Sequence, residues 1–348
     1  MKNQNPFTVM FGKLPYTVIA RMETMNEILE GFDSDAPMFQ TYLISGVRGS
    51  GKTVLMTAVA SELQKTGDWI VADLNPNEDL LHDLAERLKD CSKRLPNYLE
   101  KGIDISAFGF GIGIGGTESD RDDVSTIEHL LEYAKKKNKK VLITIDEVWK
   151  NEDMRKFASQ FQIFARKEYP VYLIMTGLYE NIYDIQNDDA LTFLLRSPKV
   201  ILGPLNMRQI AKQYGQLLDV NESKAKEFAL ITKGYAFAFQ AFGMLYYKFS
   251  KELSFDEILE KLDDMLDEFV YLKIWDGLTE VEKKIMLSIP DDAAVKTGDI
   301  CKKAGVSSES FSRYRDRLLK KGVINSPKHG YVENALPRFG KIIEEYPI

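Results

Sequence analysis

GVRGSGKT, residues 46 to 53, stands between the apolar run TYLIS and the stretch VLMTAVASELQ, whose apolar residues recur at helical spacing until near Gly67. Strand, glycine loop, helix is the order with which a parallel α/β sheet opens, and here the loop carries chemistry. Gly46, Gly51, Lys52 and Thr53 satisfy G-x-x-x-x-G-K-[ST], in which glycines let backbone amides close around phosphate oxygens at the positive end of a helix. The candidate nucleotide cradle is therefore Gly46, Val47, Arg48, Gly49, Ser50, Gly51, Lys52, Thr53 and Val54. Lys52 is expected to reach the β- and γ-phosphates of ATP. Thr53 is expected to give its hydroxyl to Mg²⁺, which it must share with a carboxylate from elsewhere in the chain.

That carboxylate is expected at the end of another strand, and KVLITIDEVWK (140 to 150) offers an apolar, β-branched run closed by Asp146 and Glu147. Asp146 would hold Mg²⁺ through its water shell, and Glu147 would orient and deprotonate a water for attack on the γ-phosphate. A third strand, VYLIMTG (171 to 177), follows the helical KFASQFQIFARKEY and places Thr176 at its end, within reach of the γ-phosphate or the attacking water. The lysine run KKKNKK (135 to 140) reads as the solvated close of a helix, where cations favour the negative end.

Composition narrows the class. The chain has 348 residues, 44% hydrophobic and 28% charged, enough for two or three soluble domains. Its formal charge of −6 gives no global footprint for nucleic acid, so any such binding must come from a local patch. Cys91 and Cys301 lie far apart and outside metal-ligand spacing, which argues against a disulfide framework or a zinc site. No run approaches the ~18 apolar residues of a membrane span, and the start MKNQNPFTVM lacks a secretory stretch, so a cytoplasmic protein is expected.

The order of phosphate loop, Asp-Glu strand and Thr-ended strand resembles the AAA+ superfamily. The likeness is to its origin-recognition and archaeal-ATPase branches, including the related STAND signalling ATPases. PYTVIARMETMNEIL (15 to 29) is similar to the N-terminal box whose residues lie near adenine, which implies that role for Val18, Ile19 and Arg21, although Ala20 stands where a glycine is usual. LLRSPKVILGPL (194 to 205) resembles the segment that carries an arginine finger, making Arg196 the candidate for a neighbouring subunit's γ-phosphate. The helical stretch from 206 to about 275 resembles the lid, yet ITKGYAFAFQAFGML contains no arginine to act as sensor 2. That departure favours a slow ATP switch over a processive motor.

AFGFGIGIGG (107 to 116) does not fit the dinucleotide fingerprint, because apolar residues alternate strictly with glycine instead of opening a helix. Period two means strand, with Phe108, Phe110, Ile112 and Ile114 on one face: an inserted hairpin, or an edge for self-association. From Leu278 the pattern of short helices and tight turns, ending in VINSPKHGYVEN, resembles a winged helix-turn-helix domain. Residues 278 to 348 hold 13 Lys/Arg against 10 Asp/Glu, a net +3, while the remainder carries −9. At 100° per residue, Phe311, Tyr314 and Leu318 form an inner stripe of the third helix, and Arg313, Arg317 and Lys320 share the outer side. With Lys328 on the wing they are the candidate contacts to double-stranded DNA.

The expected architecture is α/β: an N-terminal strap (1 to 35), a P-loop ATPase core with a parallel sheet (36 to 205), a helical lid (206 to 277) and a winged helix (278 to 348). The expected function is ATP binding and slow hydrolysis, with the nucleotide state controlling when the winged helix engages DNA. Two alternatives stand beside it. One is a STAND-like switch whose winged helix contacts protein. The other is a kinase on the same loop, against which Glu147 beside Asp146 suits water activation. ATP, Mg²⁺, duplex DNA and a second copy of the chain are the expected partners, and no membrane.

Overall fold

The computed structural model describes residues 5–10, 19, 21–34, 37–93 and 118–347; Val18 and the alternating run 107–116 lie outside the described residues. The chain divides into two compact units, one of residues 22–45 and 56–200, the other of 1–21, 46–55 and 201–348.

The first unit is built on a five-stranded sheet. In chain order come α1 (Met22–Asp33), β1 (Thr41–Ser45), α2 (Lys52–Lys65), β2 (Trp69–Leu74), α3 (Leu80–Lys93), α4 (Glu118–Lys136), β3 (Lys140–Ile145), α5 (Glu152–Arg166), β4 (Val171–Gly177) and α6 (Tyr179–Gln186). A 3-10 helix (Asp189–Arg196) and β5 (Lys199–Ile201) follow. The strands lie in the order β2-β3-β4-β1-β5, and the pairs β2–β3, β3–β4 and β4–β1 are parallel. Every residue of β1 and β4 is buried, as is β3 after Lys140, which is why these strands read as unbroken apolar runs: helices cover both faces of a parallel sheet. α5 begins where the Asn151 side chain accepts the Met154 amide at 2.7 Å, and buries Met154, Phe157, Ala158, Phe161 and Phe164.

The lysine run is less uniform than its expected role. Lys135, Lys136 and Lys137 are exposed, but Lys140 lies 5.1 Å over the Trp69 ring and reaches Asp33 at 3.3 Å, because its stem crosses the aromatic cluster of Phe32, Trp69 and Tyr172.

The second unit contains five lid helices: α7 (Met207–Leu217), α8 (Glu222–Thr232), α9 (Ala236–Phe249), α10 (Phe255–Leu266) and α11 (Leu272–Asp276). A π-turn over Asp267–Tyr271 joins the last two into one continuous rod. Then come α12 (Glu280–Met286), β6 (Val295–Lys296), α13 (Thr297–Ala304), α14 (Ser308–Lys321), β7 (Ile324–Asn325), β8 (Tyr331–Asn334) and α15 (Phe339–Ile343). The three short strands pair antiparallel in the order β6-β8-β7, and α13 turns into α14 through Gly305 (φ 69°) and the capping Ser307, the arrangement of a winged helix. One apolar core runs from Phe7 through Tyr214, Phe239, Tyr271 and Trp275 to Phe311, Leu318 and Ile343, so lid and winged helix share their interior. No helix among the described residues is long and apolar enough to cross a membrane.

Candidate nucleotide-binding site

The loop from Gly46 to Gly51 begins where β1 ends and opens α2, and each carbonyl along it is held. Lys52 Nζ donates to the carbonyls of Gly46 at 3.1 Å and Val47 at 3.2 Å. The Tyr235 hydroxyl donates to Arg48 O at 2.5 Å, the Phe237 amide to Gly49 O at 3.1 Å, and Arg21 Nη2 to Ser50 O at 3.1 Å. Gly51 O accepts the first helical bond, from Leu55. Ser50 N–H closes the turn on Val47 O at 3.2 Å, and the loop's other amides lie just before the first turn of α2. Amides at a helix N-terminus suit an anion.

Two glycines are required for this shape. Gly49 (φ 75°) and Gly51 (φ 92°) lie in the left-handed region, and a Cβ on Gly49 would sit 2.3 Å from the Tyr235 hydroxyl oxygen. Over Gly46 lies the buried Ser50 hydroxyl, which among the described residues has no hydrogen-bond partner. An orphaned buried hydroxyl and a buried lysine resting on a glycine loop at a helix N-terminus together fit a nucleotide triphosphate. Burial lowers the Arg21 pKa and raises that of Tyr235, in each case disfavouring the charged form. The family resemblance implies a place near adenine for Arg21; here its guanidinium serves the loop. Ile19 is buried in the core of this unit.

In the first unit, Asp146 and Thr176 come together at the ends of β3 and β4. Thr176 is fully buried and its hydroxyl donates to Asp146 Oδ1, which also accepts the Glu147 amide at 3.0 Å. Thr176 thus orients the carboxylate expected to hold Mg²⁺ instead of projecting past the strand end. Glu147 is exposed with φ 53°, a left-handed conformation that costs a non-glycine residue roughly 1–3 kcal/mol and concentrates at active sites. Among the described residues no group of three or more His, Cys, Asp or Glu could hold a metal. Arg196 is exposed at the end of the 3-10 helix.

On the winged helix, Phe311 and Leu318 face inward as the wheel placed them, and Arg313, Lys320 and Lys328 are exposed. Arg317 is engaged within the domain: its Nε lies 3.5 Å from Oε1 of Glu282, a wholly buried carboxylate that caps α12 and also takes Lys321 at 3.2 Å. Glu282 is a residue that sequence reasoning passed over, although T-E-V-E (279 to 282) is a capping box.

The strand order, phosphate loop, Asp-Glu turn, helical lid and winged helix define a P-loop fold with a parallel sheet, a helical lid and a C-terminal winged helix. Over 94% of its length the chain is similar to a Walker-type ATPase of Pyrococcus abyssi, 96% of which is covered, with a TM-score of 0.63 at 14% identity. It is also similar to the ORC2 protein of Aeropyrum pernix in its ADPNP–ADP complexes, over 96% of each chain, with a TM-score of 0.58 at 12% identity. These likenesses concern the fold. Residues 268–343, from the π-turn to the end of α15, match a family model described as a domain of unknown function, DUF8462. No curated protein matches the sequence.

Proposed function

We propose that this chain is a slow ATPase switch in which the state of the nucleotide governs a DNA-binding winged helix. The observation that carries the reading is that loop, lid and winged helix belong to one compact unit, with two loop carbonyls held by the lid residues Tyr235 and Phe237. ATP would lie with its phosphates on the amides of residues 46 to 54. Lys52 would move from the loop carbonyls to the phosphates, Thr53 and Asp146 would share Mg²⁺, and Glu147 would take the proton of the attacking water. Val18 and Ile19 remain candidates for the adenine side, and Arg196 for a finger supplied to a second copy. The segments 1–35, 36–205, 206–277 and 278–348 are the functional parts of this reading. Exposed Arg313, Lys320 and Lys328 would meet phosphates of duplex DNA.

The engagement of Arg317 by Glu282 favours a second reading, a winged helix that contacts protein, because it removes one cation from the outer stripe. Two measurements test the proposal. Lys52→Ala should abolish ATP binding and Glu147→Gln should keep binding while stopping hydrolysis; equal hydrolysis by wild type and Glu147→Gln removes the catalytic assignment. The triple alanine variant at Arg313, Lys320 and Lys328 should lower the slope of log DNA affinity against log salt by roughly 2 to 3 units. An unchanged slope promotes the protein-contact reading.

A further inference from the structure

We infer that the segment Lys233–Phe237 is a relay that reports the state of the phosphate loop to the winged helix, with Tyr271 as its second limb. The inference rests on the nucleotide reading of the loop and deepens it, but does not depend on DNA being the partner.

The segment lies between α8 and α9 and touches both ends of the path. Toward the loop, the Tyr235 hydroxyl holds Arg48 O and the Phe237 amide holds Gly49 O. Toward the winged helix, Lys233 Nζ donates to Asp291 O at 2.9 Å and Asn334 O at 3.5 Å, across β8 and the turn after α12. Gly234 (φ 75°) fixes the segment between them. A Cβ there would come within 2.8 Å of Leu205 O and of Pro204 Cβ, and Gly234 O accepts the Leu205 amide at 2.8 Å. Little slack exists at this point.

The second limb runs through rings. Tyr235 stacks on Tyr271, centroids 6.2 Å apart and planes 26° apart, and the Tyr271 hydroxyl donates to Pro337 O at 2.6 Å while its ring meets Phe339 edge-on at 4.8 Å. Both tyrosines are buried, so neither contact can be exchanged for water. A third contact is direct: Val47 of the loop packs at Gly322, which caps α14, with 3.6 Å between Val47 Cβ and a Cβ built on that glycine.

A phosphate that draws Lys52 away from Gly46 O and Val47 O alters the peptides at 46 to 48, and Arg48 O is the atom Tyr235 grips. Movement there is passed on because the path is packed and hydrogen-bonded throughout, with a non-covalent link at each step. Coupling is reciprocal, so whatever holds the winged helix must feed back on nucleotide affinity by the same factor.

The test compares full-length wild type, Lys233→Met and Tyr271→Phe, none of which alters a residue touching the loop. Hydrogen exchange is followed at Val323, Ala335 and Gly340, whose amides donate to Leu318 O, Val323 O and Asp291 Oδ1, with and without a non-hydrolysable ATP analogue. Nucleotide affinity is measured alongside. In wild type the analogue should change exchange at these amides at least twofold. In each variant the analogue should still bind, within about the coupling factor of wild type, and the exchange response should fall to half or less, with Lys233→Arg restoring it. An undiminished response in both variants overturns the relay. So does a wild type that binds the analogue with no response at these amides. Failure of wild type to bind the analogue overturns the nucleotide reading and the relay together. Failure to bind DNA, measured separately, overturns the DNA reading alone, and the exchange response still supports or refutes the relay.

Discussion

Substituting alanine for Gly49 tests whether the shape of the loop is what the protein needs from this residue. Gly49 sits at φ 75°, where an L-residue costs about 1–2 kcal/mol. The added Cβ would lie 2.3 Å from Tyr235 Oη, 2.9 Å from its Cζ and 3.1 Å from Phe237 Cβ. Tyr235 is 5% exposed and its hydroxyl holds Arg48 O, so displacing it leaves a buried donor and acceptor unmatched, at about 1–3 kcal/mol. The unliganded loop escapes part of this cost by opening, and a nucleotide that needs the closed shape must restore it. A recovered cost of about 1.4–2.8 kcal/mol weakens binding tenfold to a hundredfold. Gly67→Ala is the control, because Gly67 has φ 79° with nothing within 4 Å of its Cβ position, and carries the backbone cost alone. Titration with a fluorescent ATP analogue and thermal melts of both variants decide the matter. Gly67→Ala should melt lower but bind normally. Gly49→Ala binding within twofold of wild type would refute the reasoning.

Glu282→Ala should destabilise the winged helix by about 1–3 kcal/mol, since it removes the capping carboxylate of α12 and one partner of Lys321, whose Nζ also donates to Gly277 O at 3.1 Å; Glu282→Gln, which keeps an acceptor at the cap, should cost less, and denaturant unfolding would reverse this ranking if the pair were inert. Arg196→Ala and Lys52→Ala, each inactive alone, should recover partial hydrolysis when mixed if the arginine serves a second copy, and no recovery where wild type self-associates argues against that role. His82 on α3 binds Asp123 of α4 at 3.0 Å, and this hydrogen bond, ahead of the charge, raises its pKa. The stabilisation is fully present below the ordinary histidine value and lost as pH rises through the raised one, so the denaturation midpoints of wild type and His82→Gln should differ more at pH 5.5 than at pH 9. Equal differences at the two pH values would dismiss it.

What could be read from the sequence was local. The run TYLIS, the loop after it and the acidic pair after KVLITI announce themselves within a dozen residues, because strand periodicity and phosphate chemistry both act over that range. The outer face of α14 followed from a helical wheel. The partners of the loop did not, since no spacing rule links Arg48 to Tyr235 or Ser50 to Arg21, and the contact exists only after the lid has packed. The same holds for Arg317: the wheel set its direction, but Glu282 lies on another helix. Sequence reasoning also passed over the glycine in T-K-G-Y-A, a helix-stop signal just past the end of α8 whose φ of 75° lets the chain turn toward the loop.

Because the carbonyls of the loop are held by residues as distant as Tyr235 and Phe237, the site is also ordered in time. A ribosome adding roughly 5–20 residues per second delivers Tyr235 on the order of ten to forty seconds after Gly51. By then the strands up to β4 have been made, and they can pair without the loop's clasp. The nascent chain therefore carries its most recognisable motif long before that motif can take its working shape, and fragments ending before residue 235 would retain the sheet's sequence without the cradle's closure. Closing a contact of such sequence separation is entropically slow, which makes loop assembly a natural late step in folding.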